Sequence, residues 1–204
     1  MTPVPPLRGE RRRVLVLAVA AAFSTALGAC TAEKRGFESV DITGADYAKD
    51  FRLTDSAGRS RSLSDFRGKA VVVFFGYTRC PDVCPTTMAD LSAAMQALGP
   101  DAERVQVVFV TLDPARDTPS LLAQYVPSFD RRFIGLFGDE AATVRTAHDF
   151  KIFFQRVPGS TPDAYTIDHT AGSYVFDPAG HVRLFIRQGE PVAAVVHDLK
   201  QLLS

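Results

Sequence analysis

The chain has 204 residues, 46% of them apolar and 23% charged, with 23 basic and 23 acidic side chains in formal balance. This length suits one domain plus a short extra segment, and the composition is that of a globular protein, not a disordered or fibrous one. Without the first 29 residues the count is 19 basic against 22 acidic, a net of −3, which gives no footing for nucleic acid as a partner.

Arg8, Arg11, Arg12 and Arg13 precede an apolar run from Val14 to Leu27. The run falls short of the roughly 20 residues a membrane span takes, and it ends on Leu27-Gly28-Ala29-Cys30, small residues where a signal peptidase must fit. This pattern resembles a bacterial lipobox. Residues 1–29 are therefore expected to be a lipoprotein signal peptide, with Cys30 as the lipidated N-terminus. An uncleaved anchor helix is the alternative. Either arrangement tethers the domain to a membrane, outside the cytoplasm, in the cell envelope. Residues 30–50 are polar and weakly patterned and read as a tether, which leaves 51–204 as the folded domain.

Phe51 to Asp65 reads as a hairpin turning at Asp55-Ser56-Ala57-Gly58. Ala70 to Phe75 is a continuous β-branched and aromatic run that suits a strand buried on both faces. After Cys80 and Cys84, a helix is expected from about Pro85 to Leu98, with Met88, Leu91, Met95 and Leu98 at helical spacing. Val105 to Leu112 is a second buried strand, and Thr118-Pro119 is a helix start with Thr as N-cap and Pro in the first turn. Phe133 to Phe137 suits a short strand and Ala141 to Phe150 a helix. Ser173 to Phe176 and Val182 to Ile186 flank the turn Asp177-Pro178-Ala179-Gly180, and a helix from about Val192 to Leu203 closes the chain. This order of elements predicts an α/β domain, a thioredoxin-like fold with an N-terminal hairpin extension and insertions.

Cys80 and Cys84 are the only thiols of the expected domain, fewer than a structural disulfide framework normally uses. They fall where a strand turns into a helix, a place where unpaired N–H groups and the positive helix end favour thiolate, the form that acts both as nucleophile and as metal ligand. An inert local disulfide and a redox pair both remain open. Dedicated thiol–disulfide oxidoreductases usually place two residues between their cysteines, and here there are three. The second half of the site is expected at Ile167-Asp168-His169-Thr170, 85 residues beyond Cys84. At this point of the chain a thioredoxin has a cis-proline packed on its cysteines, so a histidine there can turn its imidazole to the sulfurs. Two thiolates and one imidazole make a soft set suited to Cu(I) and able to hold Cu(II), whereas zinc normally takes a fourth ligand. Asp168 is expected to support the site from behind. His148, His181 and His197 read as ordinary surface or satisfied residues.

Three blocks of the chain together resemble the Sco/SenC family of copper-binding cytochrome c oxidase assembly proteins. They are Gly76-Tyr77-Thr78-Arg79-Cys80-Pro81-Asp82-Val83-Cys84-Pro85, then Thr111-Leu112-Asp113-Pro114-Ala115-Arg116-Asp117-Thr118-Pro119, then Ile167-Asp168-His169-Thr170. The resemblance runs from about Phe51 to the C-terminus. It implies copper ligation by Cys80, Cys84 and His169, and a metallochaperone with no turnover of its own. The implied client is the dinuclear copper site of cytochrome c oxidase subunit II, served from an unidentified upstream copper donor. A thiol–disulfide reductase acting on the client's cysteines through Cys80 and Cys84 is the competing reading. Asp113, at the end of its strand, is expected near the copper loop, although a turn from Asp113 to Asp117 explains it more economically. A peroxiredoxin-type peroxidase is disfavoured, because Val73 and Tyr77 stand where such enzymes have Pro and Thr before the nucleophile.

Overall fold

Ala70 to Gly76 is buried at every one of its seven positions, as expected for a strand with layers packed on both of its faces. The structure, a computed structural model, describes residues 36–161 and 163–204; the expected signal peptide and Cys30 lie outside the described residues. The strands in chain order are β1 (Val40–Asp41), β2 (Leu53–Asp55), β3 (Ser60–Arg61), β4 (Ala70–Gly76), β5 (Val105–Thr111), β6 (Ile134–Phe137), β7 (Phe154–Val157), β8 (Thr166–His169), β9 (Gly172–Phe176) and β10 (Val182–Arg187). The helices are α1 (Val83–Leu98), α2 (Pro119–Tyr125), α3 (Glu140–Asp149) and α4 (Val192–Leu203).

Eight strands form one sheet in the order β1-β10-β9-β4-β5-β6-β2-β3. The central β4, β5 and β6 run parallel, β9 pairs antiparallel with β4, and β10 pairs antiparallel with β9. Side-chain alternation splits the core between the two faces. Val72, Phe74, Val107 and Phe109 join Met88, Leu91 and Met95 of α1 and Val195 and Leu199 of α4 on one side. Val71, Val73, Phe75, Val108 and Val110 join Phe51, Leu53, Ala147 and Phe150 on the other. This is the thioredoxin-like α/β fold expected from the element order. The hairpin β2–β3 joins the sheet by pairing with β6.

Three features differ from the sequence reading. First, the stretch read as tether packs on the domain from Phe37 onward: Val40–Asp41 pairs with β10, and Ala48 is buried. The N–H groups of Glu38 and Ser39 donate to the buried carboxylate of Asp198 on α4, at 2.9 and 2.8 Å. That distant acceptor has no local sequence signal. Second, α1 begins at Val83, two residues before the expected Pro85, so Cys84 belongs to its first turn. Third, β7 and β8 form a separate two-stranded sheet, with Phe154 opposite His169. No helix among the described residues is long and apolar enough to cross a membrane.

Candidate metal centre

Strand β4 ends at Gly76, and the loop to α1 brings Tyr77, Thr78 and Cys80 over the C-terminal edge of the parallel strands. Asp82 is the N-cap of α1 but makes no side-chain cap hydrogen bond. The amide of Cys84, in the first helical turn, would otherwise lack a partner, and it donates to Cys80 Sγ at 3.4 Å. The Cys80 sulfur thus takes the place of a capping oxygen. Pro85 follows in the same turn, where a missing N–H costs nothing.

His169 is the last residue of β8, and its Nδ1 lies 2.9 Å from the Thr170 carbonyl oxygen. A carbonyl can only accept, so Nδ1 carries the proton and Nε2 presents a lone pair. Nε2 lies 3.5 Å from Cys84 Sγ. The ring packs edge-on against Phe74 and Tyr77, with centroids 6.4 and 6.1 Å away. Burial holds the imidazole below its ordinary pKa, against smaller opposing effects from the Thr170 hydrogen bond and the Asp168 charge.

Helix-end stabilisation of thiolate does not prevail at Cys84. This residue is fully buried, and burial pushes its thiol well up, with the nearby Cys80 adding to the rise and an N–H from Tyr77 opposing it. A protonated Cys84 beside an imidazole lone pair is an S–H···N contact. A soft cation entering the site would displace that proton. Cys80 is partly exposed and Cys84 buried, both as free thiols.

The two sulfurs and an imidazole nitrogen lie within 4.8 Å of one another, and they are the one such group of metal-capable side chains among the described residues. A cavity of about 370 Å³ opens beside them, lined by Cys80, Pro81, Asp168 and His169 among others. A larger cavity of about 630 Å³ lies elsewhere, against Lys49, His181 and Arg183, and has no soft donor.

The SCO1/SenC family profile matches residues 40–204. The chain belongs to this family. The mitochondrial protein SCO2 homolog of Mus musculus is 30% identical to this SCO1/SenC protein, covering 96% of this chain and 80% of its own. Bradyrhizobium japonicum ScoI, solved with copper bound, is similar at 37% identity and a TM-score of 0.70, covering 76% of this chain and 98% of its own. Apo Sco1 of Thermus thermophilus is similar at 38% identity and a TM-score of 0.74, covering 84% and 99%.

Asp168 and Asp113 occupy different positions from each other in this SCO1/SenC site. Asp168 is exposed, as strand alternation requires of the neighbour of His169, and the carbonyl that orients the imidazole is that of Thr170. Asp113 is buried and engaged by Arg116 and the Tyr165 hydroxyl. His148, His181 and His197 each lie beside an aspartate, outside the cluster. The sequence names Asp117 as the end of a turn from Asp113, and that turn is present; its further role is that it accepts from Thr78 N at 3.0 Å, Thr78 Oγ1 at 2.6 Å and Thr111 Oγ1 at 2.6 Å and so pins the loop before Cys80. Sequence reading passed over Tyr77, whose hydroxyl accepts from Ile167 N at 3.2 Å. Tyr125 is another omission: its hydroxyl is buried without a partner among the described residues, and burial raises its pKa with a further rise from the cysteine charges. The Thr78–Asp117 and Tyr77–Ile167 contacts join residues 39 and 90 positions apart, which no local pattern encodes.

Proposed function

We propose that this protein is a copper metallochaperone of the bacterial cell envelope, tethered by a lipid on Cys30, that delivers copper to or prepares the dinuclear copper site of cytochrome c oxidase subunit II. Cys80, Cys84 and His169 are the proposed ligands. The convergence of two sulfurs and a proton-free imidazole nitrogen within 4.8 Å carries the reading. Soft donors of this kind favour Cu(I), and among the described residues the cluster has three donors where a closed zinc site normally takes four. The copper-bound ScoI relative supports the choice of metal.

Placement also fits cargo transfer. Cys80 lines the cavity and is partly exposed while Cys84 is buried, so an acceptor can reach the ion from the Cys80 side. His169→Ala is expected to weaken Cu(I) binding at least tenfold with the fold intact, read by chelator competition and circular dichroism. X-ray absorption of the loaded protein is expected to show two sulfurs and one nitrogen. Wild-type affinity in the variant would overturn the ligand assignment.

The exposed–buried pairing of the thiols favours one second reading. As a reductase, Cys80 thiolate would attack a client disulfide and release one client thiolate, and Cys84 would then resolve the mixed disulfide. The client gains two electrons and this protein ends as the Cys80–Cys84 disulfide. Oxidase assembly in His169→Ala cells separates the readings, because a reductase does not need the imidazole.

A further inference from the structure

We infer that Arg116 is a positioning residue for His169, acting through a turn that holds the two halves of the copper site together; this inference rests on the ligand assignment proposed above. The halves are 85 residues apart in the chain, and the histidine half is the less secured. Its hairpin β7–β8 shares no ladder with the main sheet. Strand β7 is mostly exposed. Pairing with the main sheet reaches His169 only from its C-terminal side, where β9 begins at Gly172, so the preceding end of β8 needs another hold.

The segment Asp113–Asp117 supplies it. Hydrogen bonds from Arg116 N and Asp117 N to the Asp113 carbonyl, 3.1 and 2.9 Å, close this segment into a turn. One end of the turn, the Asp117 carboxylate, grips Thr78 of the cysteine loop. The other end grips the histidine hairpin. Arg116 Nη1 donates to the carbonyls of Asp163 and Tyr165 at 3.0 and 2.9 Å, and its guanidinium stacks 3.4 Å over the Tyr165 ring. Arg116 Nε donates to Asp113 Oδ2 at 2.5 Å, and the Tyr165 hydroxyl donates to Asp113 Oδ1 at 2.6 Å.

The side chains of Arg116 and Asp113 are 8% and 0% exposed, so the pair is shielded from the solvent screening that makes surface ion pairs weak. The residues gripped lie four to six positions before His169, and Tyr77 receives Ile167 N two positions before it. Arg116 therefore sets the strand that presents the imidazole, while its neighbour Asp117 sets the loop that presents the sulfurs. A planar, forked donor is needed to meet a carboxylate and two carbonyls while stacking on a ring, which a lysine ammonium cannot reproduce.

The test compares Arg116→Gln, Arg116→Lys, His169→Ala and the Arg116→Gln/His169→Ala double variant of the purified protein. Cu(I) affinity is read by chelator competition, the sulfur-to-nitrogen ratio by X-ray absorption, and hairpin mobility by hydrogen exchange of residues 163–169 without metal. Arg116→Gln is expected to lower affinity about 10–100-fold, the range for residues that orient a metal ligand. It is also expected to reduce the nitrogen contribution and to speed hairpin exchange while β4 and β5 stay protected. Arg116→Lys should recover part of the loss, and the double variant should bind no more weakly than His169→Ala alone. Should Arg116→Gln fail to fold, Tyr165→Ala, which removes the stacked ring and the phenol at a partly exposed position, must show the same losses. If His169→Ala loses nitrogen and affinity but the Arg116 or Tyr165 variant keeps both, the inference is overturned and the ligand assignment stands. If His169→Ala itself keeps both, the ligand assignment falls and the inference with it.

Discussion

A Cβ built on Gly76 would lie 2.9 Å from Cys84 Sγ and 3.1 Å from the rings of Phe109 and Phe74. The glycine is thus the floor on which the buried sulfur rests. Two fully buried aromatic rings cannot retreat, so an added methyl displaces the sulfur. Gly76→Ala is expected to cost about 1–3 kcal/mol in urea unfolding, the usual range for overpacking a tight core, and to weaken Cu(I) binding as well. A variant with wild-type stability and wild-type affinity would show that the sulfur position is not set from below. At this scale the sequence displays the donors and hides their setting. Cys80, Cys84 and His169 are legible because few residue types supply soft ligands. Gly76, Asp117 and Arg116 lie within the blocks that carry the resemblance, but their contacts with Phe109, Thr78 and Tyr165 are set by the fold and have no local pattern. Asp168, next to His169 in sequence, is exposed on β8 yet lines the cavity beside the cluster, and its charge acts on the imidazole.

Among the elements, the two-residue strand β1 owes its place to α4 more than to its own short ladder. Asp198 is 1% exposed; burial alone would raise its pKa, yet the N–H donors of Glu38 and Ser39 and the contact with His197 outweigh that and hold it below the usual carboxylate range. Its stabilising effect is present above that range and is lost as the pH falls through the lowered folded-state pKa. Asp198→Ala is expected to lower stability by about 1–3 kcal/mol, the cost of leaving buried donors without a charged acceptor. Hydrogen exchange should show Glu38 and Ser39 amides released, with copper affinity unchanged. Unaltered protection of those amides would mean that the β1 ladder is sufficient by itself. Long elements such as β4, β5, α1 and α4 were legible from periodicity because each presents a continuous buried run or stripe. Strands β1, β7 and β8 are as short as β2, β3 and β6 but lack the turn signal that marks the first two and the apolar run that marks the third.

Across the whole molecule, protons and copper compete for one enclosed site. Burial raises the Cys84 thiol, so at neutral pH the metal-free protein holds a proton there, and a soft cation must expel it to gain the sulfur. Affinity for copper should therefore rise with pH, by about tenfold per pH unit for each proton released. His169 adds to this rise only at low pH, where its imidazole is protonated and must also lose a proton to bind the ion. Burial depresses its pKa, so the imidazole is already neutral through pH 7–8 and adds nothing to the slope there. Ligand binding to the native state alone raises thermal stability by RT ln(1 + [L]/Kd), so the gain in Tm on loading with Cu(I) should grow from pH 6 to pH 8. Replacing Cys84 by Ser should reduce that growth to what Cys80 contributes, because serine has no proton to surrender in this range. A loading-induced shift in Tm that is constant with pH in the wild type would mean that Cys84 is already ionised when copper arrives. The helix start at Val83 would then outweigh the enclosure that the fold imposes on this sulfur.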